Sequence, residues 1–112
     1  MKLTQSELND FNRKYLDLRK KSVPNVITHD TNTTGEHRRL VNDICEWLRE
    51  NDITFYTRCF TKTGEIVDIV APGLPRPFIE VRHTELKKEK KYDEEFDKLR
   101  IFIDTSDPYR LR

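Results

Sequence analysis

The sequence predicts a mixed α/β (α+β) domain in which helices pack against a small sheet. Two segments in the N-terminal half carry apolar residues at helical spacing, the central stretch alternates residues as strands do, and turn sequences separate the strands. The predicted order is helix, helix, three strands, helix, strand, and helices grouped apart from an antiparallel meander are typical of a helix-on-sheet sandwich. The 112 residues fit one domain spanning 1–112.

The first helix is predicted over residues 5–21. Thr4 and Glu7 have the spacing of a capping box, and apolar residues follow at helical intervals as far as Leu18. A loop rich in Asn and Thr follows over 22–33.

The second helix is predicted to start after Thr33 and to end near Asn51. Thr33 and Glu36 again have capping-box spacing, and a broad apolar stripe runs from Leu40 to Leu48.

Four strands and a third helix complete the prediction. Residues 53–60 and 65–71 alternate as an antiparallel hairpin, and a third strand covers 78–83 after a proline-rich break. The third helix is expected within 85–99 and the last strand at 100–104.

The composition excludes several classes of protein. Charged residues form 37% of the chain and apolar residues 35%, against a charged share of about 25% in typical domains, so the core must be small. No segment resembles a membrane helix or a secretory signal, and we therefore expect a cytoplasmic protein with no membrane partner. Cys45 and Cys59 form no C-x-x-C pair and are expected to be buried small residues.

The net charge of +1 does not by itself indicate a nucleic-acid binder. Two local blocks at 13–21 and 87–91 are nevertheless strongly basic, and such blocks contact phosphates at short range. A solvated helix face is the alternative interpretation of each block.

Three acids occupy positions where the pattern favours apolar residues. Asp68 shares a predicted strand face with Ile66 and Val70, and Glu80 lies on the neighbouring strand. Glu36 is four residues before Leu40 and is expected to continue the buried stripe of the second helix. Carboxylates converging from a helix and two strands form the oxygen-rich ligand set that Mg²⁺ or Mn²⁺ prefers.

Each acid also has a structural interpretation. Glu36 would complete a capping box with Thr33, and Asp68 and Glu80 would face solvent on a one-sided sheet. Glu80 and Arg82 would otherwise form an ordinary ion pair on one strand face.

The spacing of Asp68 and the Glu80-Val81-Arg82 triplet, with eleven residues between them, resembles the PD-(D/E)XK nuclease signature. The likeness is nearest to archaeal Holliday junction resolvases and covers residues 34–104, with 1–33 outside it. It implies a restriction endonuclease-like core, in which Glu36 matches the acid that many members carry on the preceding helix. It also implies that Mg²⁺ or Mn²⁺ would be held by Glu36, Asp68, Glu80 and the backbone carbonyl of Val81.

Position 82 departs from the family pattern, which has lysine there. Arg82 cannot act as a base near neutral pH, but its guanidinium can hold a phosphate. As an alternative, Lys62, Lys87, Lys88 or Lys91 would supply an ammonium group instead.

The leading hypothesis is therefore a metal-dependent endonuclease acting on DNA, with Glu36, Asp68, Glu80 and Arg82 as catalytic residues and homodimerisation as in resolvase-like relatives. The alternative is a weakly active or inactive nuclease fold that serves as a nucleic-acid-binding or protein-interaction module. A structural adaptor is a third possibility, which the near-neutral charge favours. The expected DNA contacts are Arg13, Lys14, Arg19, Lys20, Lys62, Lys87, Lys88 and Lys91. His29, His37 and His83 have no metal-ligand spacing.

Overall fold

The computed structural model describes residues 3–20, 23–29, 33–82 and 98–104, except for the side chains of Arg82 and Asp104. Its elements are α1 (Gln5–Tyr15), α2 (Gly35–Glu50), β1 (Tyr56–Phe60), β2 (Ile66–Val70), β3 (Phe78–Arg82) and β4 (Arg100–Asp104). The mixed α+β class is therefore confirmed, while nearly all of the helix predicted within 85–99 lies outside the described residues. Within the described part of the chain, no helix is long and apolar enough to cross a bilayer.

The four strands form one mixed sheet in the order β1-β2-β3-β4. The first two pairings are antiparallel, as the meander predicted, and β3 pairs with β4 in parallel. In the β1–β2 hairpin, the Thr61 N–H donates to the Glu65 carbonyl at 2.8 Å. Gly64 takes a φ of 88° in this turn, a conformation that favours glycine.

Helix α1 is shorter than predicted because its C-terminal residues join the sheet. The Thr4–Glu7 capping box is present, with both hydrogen bonds at 3.1 Å. The helix ends at Tyr15, since Leu16 is extended and forms a bridge with Thr61. Leu18, predicted to lie on the helix, is exposed beyond it.

Helix α1 covers one face of the sheet through an aromatic cluster. The ring of Phe78 in β3 lies 5.9 Å from that of Phe11 and 5.6 Å from that of Tyr15. The Asn12 amide donates to the Tyr56 hydroxyl at 3.1 Å. We call the buried residues on this face the α1 cluster: Leu16, Tyr56, Cys59, Val67, Val70 and Phe78.

Helix α2 covers the opposite face. Its N-cap is Thr34, whose side chain accepts from the His37 N–H at 3.2 Å. The capping box predicted from Thr33 and Glu36 is therefore wrong, because the cap lies one residue later and the third helical residue is His37. Cys45 is fully buried, as expected, and burial raises the pKa of its thiol to about 12. The helix buries Leu40, Val41, Ile44, Cys45 and Leu48 against Ile69, Ile79, Val81 and Ile103 of the sheet.

Residues 25–28, which we call the strap, run beside β1. The Asn25 N–H donates to the Phe55 carbonyl at 2.8 Å, and the Asn25 side chain accepts from the Phe55 N–H at 3.1 Å. Farther along, the Thr57 hydroxyl accepts from the Thr28 N–H at 2.9 Å. The strap therefore binds the outer strand through both backbone and side-chain groups.

Candidate active site at a kink between two strands

Arg58 has a left-handed backbone in the middle of β1, with a φ of 47°. This conformation costs a residue other than glycine about 1 to 3 kcal/mol. The kink shifts the alternation of side chains along β1. Its effect is visible in Tyr56 and Cys59, which are three residues apart but both pack in the α1 cluster. As a result, Arg58 lines a cavity on the α2 side of the sheet.

Strand β2 changes face at the matching position. Asp68 is opposite Arg58 in the register, between the paired residues on either side. Val67 and Val70 both pack in the α1 cluster, whereas Asp68 and Ile66 line the cavity on the other side. Asp68 was predicted to share a strand face with Ile66 and Val70. The prediction is correct for Ile66 and wrong for Val70, because the kink interrupts the alternation of side chains between the two faces of the sheet.

Asp68 also marks the point where β2 and β3 stop pairing through their backbones. The recorded pairs are Ile69 with Ile79 and Val70 with Phe78. Beyond these pairs, the Val81 N–H donates to the Asp68 side chain instead of to a backbone carbonyl, and its distance to Oδ2 is 2.9 Å. Because the N–H and C=O of one strand residue point to the same side, the Val81 carbonyl also faces the gap beside Asp68.

Glu80 lies against Asp68 in the same gap. Burial raises the pKa of the Glu80 carboxyl to about 8, and the negative charge of Asp68 and a hydrogen bond with its carboxylate act in the same direction. The charge of Glu65 adds to the increase in pKa, while that of Arg100 opposes it. At neutral pH the two carboxyl groups therefore share one negative charge, because Glu80 keeps its proton.

Glu36 does not continue the buried stripe of α2. It is exposed, whereas its neighbour His37 is half-buried. At about 100° per residue, His37 lies about 10° from the mean direction of the five buried residues of α2, and Glu36 lies about 110° away. The helix therefore turns His37, and not Glu36, towards the sheet.

His37 reaches Asp68 directly. Its Nε2 lies 3.5 Å from Asp68 Oδ2, and its Nδ1 is buried without a hydrogen-bond partner in the described part of the chain. A proton on Nε2 faces the carboxylate, whereas Nδ1 is then a bare acceptor, which is less costly to bury than an unpaired N–H. His37 thus orients the Asp68 carboxylate from the helix side.

The cavity beside this cluster has a volume of about 210 Å³. It lies between the first turns of α2, the end of the strap and the kinked strands. Its lining consists of Thr28, His29, Thr33, His37, Val41, Arg58, Ile66 and Asp68. His29 is held there by Asn42, whose Oδ1 is 3.2 Å from its Nε2.

Two of the predicted DNA-binding arginines have acidic neighbours. Arg13 lies 4.0 Å from Asp10, and the Arg19 Nε lies 3.3 Å from Asp17. Each pair adds little net positive charge to the surface.

The predicted lysines among the described residues lie near the junction of α1 and the hairpin. Lys14 and Lys20 lie over the rings of Tyr15 and Phe60, at 5.2 and 4.1 Å. The Lys62 N–H donates to the Tyr15 carbonyl at 3.0 Å, so this residue is part of the same region. The other predicted contacts, Lys87, Lys88 and Lys91, lie outside the described residues, as does the side chain of Arg82.

The described acids do not form a closed metal cage. Within residues 3–20, 23–29, 33–82 and 98–104, no group of three or more His, Cys, Asp or Glu side chains is placed to hold an ion. The structure does bring Asp68 and Glu80 together, with the Val81 carbonyl facing the same gap. This set of oxygen atoms is chemically suited to Mg²⁺ or Mn²⁺.

The sequence interpretation missed three residues of this cluster. His37 was detectable, because it aligns with Val41, Ile44 and Leu48 at helical spacing. Arg58 and Arg100 gave no signal, since neither a left-handed backbone nor a parallel fourth strand can be inferred from residue types in this segment.

No family model, curated protein or solved structure matches this chain. The geometry of the site is therefore the basis for a functional proposal.

Proposed function

We propose that this protein is a metal-dependent endonuclease that hydrolyses DNA phosphodiester bonds. The observation that carries the proposal is the contact of Asp68 with Glu80, whose pKa is raised to about 8 by burial first and by Asp68 second. Adjacent carboxyl groups that share a proton are typical of functional sites, and a divalent cation can take the place of that proton.

The donors suit a hard cation. Asp68, Glu80 and the Val81 carbonyl would hold Mg²⁺ or Mn²⁺, and the exposed Glu36 would not contribute a ligand in this conformation of α2. When bound, such an ion polarises a phosphate and lowers the pKa of a water molecule.

The side chains of the protein have separate tasks in this proposal. Asp68 is held in place by the Val81 N–H and His37, so it is preorganised for a ligand. Glu80 releases its proton when a cation binds. Arg82, next in alternation on the strand that carries Glu80, would bind the scissile phosphate without acting as a base.

One observation favours a second candidate function. A neutral Glu80 hydrogen-bonded to Asp68 satisfies the pair without any metal, as in a nuclease fold that acts only as a nucleic-acid-binding or protein-interaction module. In that case the carboxyl pair stabilises the junction of β2 and β3 and has no catalytic task.

Calorimetry with Mn²⁺ separates the two functions. We expect one site, and at pH 7 we expect binding to release a proton, so the apparent enthalpy changes between buffers of different ionisation enthalpy. Asp68→Asn should weaken binding at least tenfold, since a charged ligand is lost. Absence of Mn²⁺ binding would favour the module.

Cleavage tests the reaction itself. Labelled single-stranded, duplex, flapped and four-way-junction DNA would be incubated with Mg²⁺, Mn²⁺ or chelator. We expect cleavage of at least one form with a metal, and none with chelator or in Asp68→Asn. A homodimer is proposed because one small protomer offers little surface for two DNA arms, and sedimentation with and without junction DNA measures it.

A further inference from the structure

The cavity beside Asp68 has one arginine in its lining and another next to it. Arg58 lines it, and Arg38 donates from its Nε to Thr33, another lining residue, at 3.2 Å. Among the described residues, the carboxylate in the lining is that of Asp68, whose Oδ2 already accepts from the Val81 N–H. The cavity also adjoins the N-terminal end of α2, where the helix dipole favours an anion.

The size of the cavity limits what it can hold. Its volume is about 210 Å³. This is below the roughly 300 Å³ at which pockets for drug-sized ligands begin. A single phosphate group with a few waters fits, whereas a whole nucleotide would not be enclosed.

The conformation of Arg58 brings this residue into the lining of the cavity. With regular alternation, its side chain would have shared the opposite face of the sheet with Tyr56. The left-handed φ of 47° directs it instead to the α2 side, opposite Asp68. A guanidinium has five N–H donors, so it can contact protein groups and still grip a phosphate.

We propose that this cavity is a phosphate subsite in which Arg58 holds a phosphate group of the nucleic-acid backbone, next to the group at the carboxylate pair. The proposal rests on the proposed nuclease function for its polymeric ligand. Free inorganic phosphate would be bound by the same interaction, in which the guanidinium donates hydrogen bonds to phosphate oxygens.

Binding in the absence of metal tests the subsite. The probe is a fluorescein-labelled oligothymidylate of about ten nucleotides, and anisotropy is measured in EDTA over a series of salt concentrations. We expect Arg58→Gln to weaken binding about tenfold and to lower the salt slope by about 0.7, the value for one phosphate contact on a single strand.

Two further variants control this measurement. Arg58→Gly also removes the charge, but glycine accepts the left-handed backbone, so this protein should fold even if Arg58→Gln does not. Arg76→Gln removes an exposed arginine from the β2–β3 turn, outside the cavity lining, and should keep more of the affinity than either Arg58 variant.

Inorganic phosphate is the second arm. It should compete with the oligonucleotide on the wild-type protein and compete less on Arg58→Gly. If phosphate saturates the wild type while the oligonucleotide is unaffected by Arg58→Gly, the site takes free phosphate and the backbone assignment is overturned. An unchanged salt slope in Arg58→Gly, or an equal loss in Arg76→Gln, would overturn the subsite.

Failure of the subsite is distinguishable from failure of the proposed function. Metal-free binding that depends on Arg58, without cleavage under any metal condition, would remove the nuclease and keep the phosphate subsite. Metal-dependent cleavage, with no effect of the Arg58 variants on binding, would support the nuclease and remove the phosphate subsite.

Discussion

The Asp68 carboxylate of β2 takes the place of a backbone acceptor for Val81 of β3. Its Oδ2 receives the Val81 N–H at 2.9 Å, at the point where the recorded backbone pairs of the two strands end. The Asp68 side chain therefore links the two strands by a hydrogen bond and also places a carboxylate in the site.

Replacing this acceptor should reveal its structural contribution. In EDTA at pH 6.5, where Glu80 is neutral and repels Asp68 little, Asp68→Ala should lower the free energy of unfolding by about 1 to 3 kcal/mol through the unpaired Val81 N–H. Asp68→Asn keeps an acceptor oxygen and should lose less. Urea denaturation measures both, and an alanine variant as stable as the wild type would contradict the structural task.

The pH dependence of stability should follow Glu80. Its folded pKa is raised to about 8 from 4.5, so between these values the folded state binds more protons than the unfolded state, and stability falls as pH rises until it levels off above pH 8. Glu80→Gln should flatten this decline and be more stable than the wild type near pH 8. A tenfold change in a proton-binding constant corresponds to about 1.4 kcal/mol, so the difference should be clear in thermal denaturation.

If the stability of the wild type and of Glu80→Gln depends on pH in the same way, Glu80 is ionised at neutral pH and the prediction is wrong. Glu50→Gln, an exposed acid at the end of α2, is the matched control and should leave the profile unchanged.

Docking of α1 should depend on Phe78. This side chain is fully buried under Phe11 and Tyr15. Phe78→Ala should cost about 3 to 5 kcal/mol and Phe78→Leu less. In a double-mutant cycle, Phe11→Leu and Phe78→Leu should show a coupling of about 0.5 to 1.5 kcal/mol, whereas additive effects would contradict the ring contact.

The Thr57 hydroxyl should anchor the part of the strap that follows Asn25. Thr57 is buried, its Oγ donates to the Val26 carbonyl at 2.8 Å, and it accepts from the Thr28 N–H at 2.9 Å. Thr57→Val should cost about 1 to 3 kcal/mol and increase proteolysis near the strap, while Thr57→Ser should behave more like the wild type. Equal cleavage rates in both variants would show that the strap is held by other contacts.

The local rules predicted the elements because they act over a few residues. The Thr4–Glu7 box, the alternation of Phe78 with Ile79 and Val81, and the apolar stripe of α2 each depend on neighbours in sequence, and all are present in the structure. The end of α1 could not be predicted in this way, because Leu16 leaves the helix to pair with Thr61, 45 positions along the chain.

The site was harder to predict than the fold, for a similar reason. The juxtaposition of Asp68 and Glu80 follows from two adjacent strands and was expected. Glu36 is exposed and His37 faces the sheet because neighbouring residues of a helix point about 100° apart. An error of one residue in the predicted buried face therefore exchanges the two. The place of Arg58 depends on one left-handed residue, and no periodic pattern encodes such a break.

The strap has a consequence for how copies of this protein can associate. An outer strand with open N–H and C=O groups invites a second chain to extend the sheet, which leads to strand exchange and aggregation. Asn25 already bonds to Phe55, the residue before β1, and Thr28 to Thr57 within it. Sheet extension across β1 would have to displace these bonds first, so any symmetric pairing of two copies is expected to use another surface.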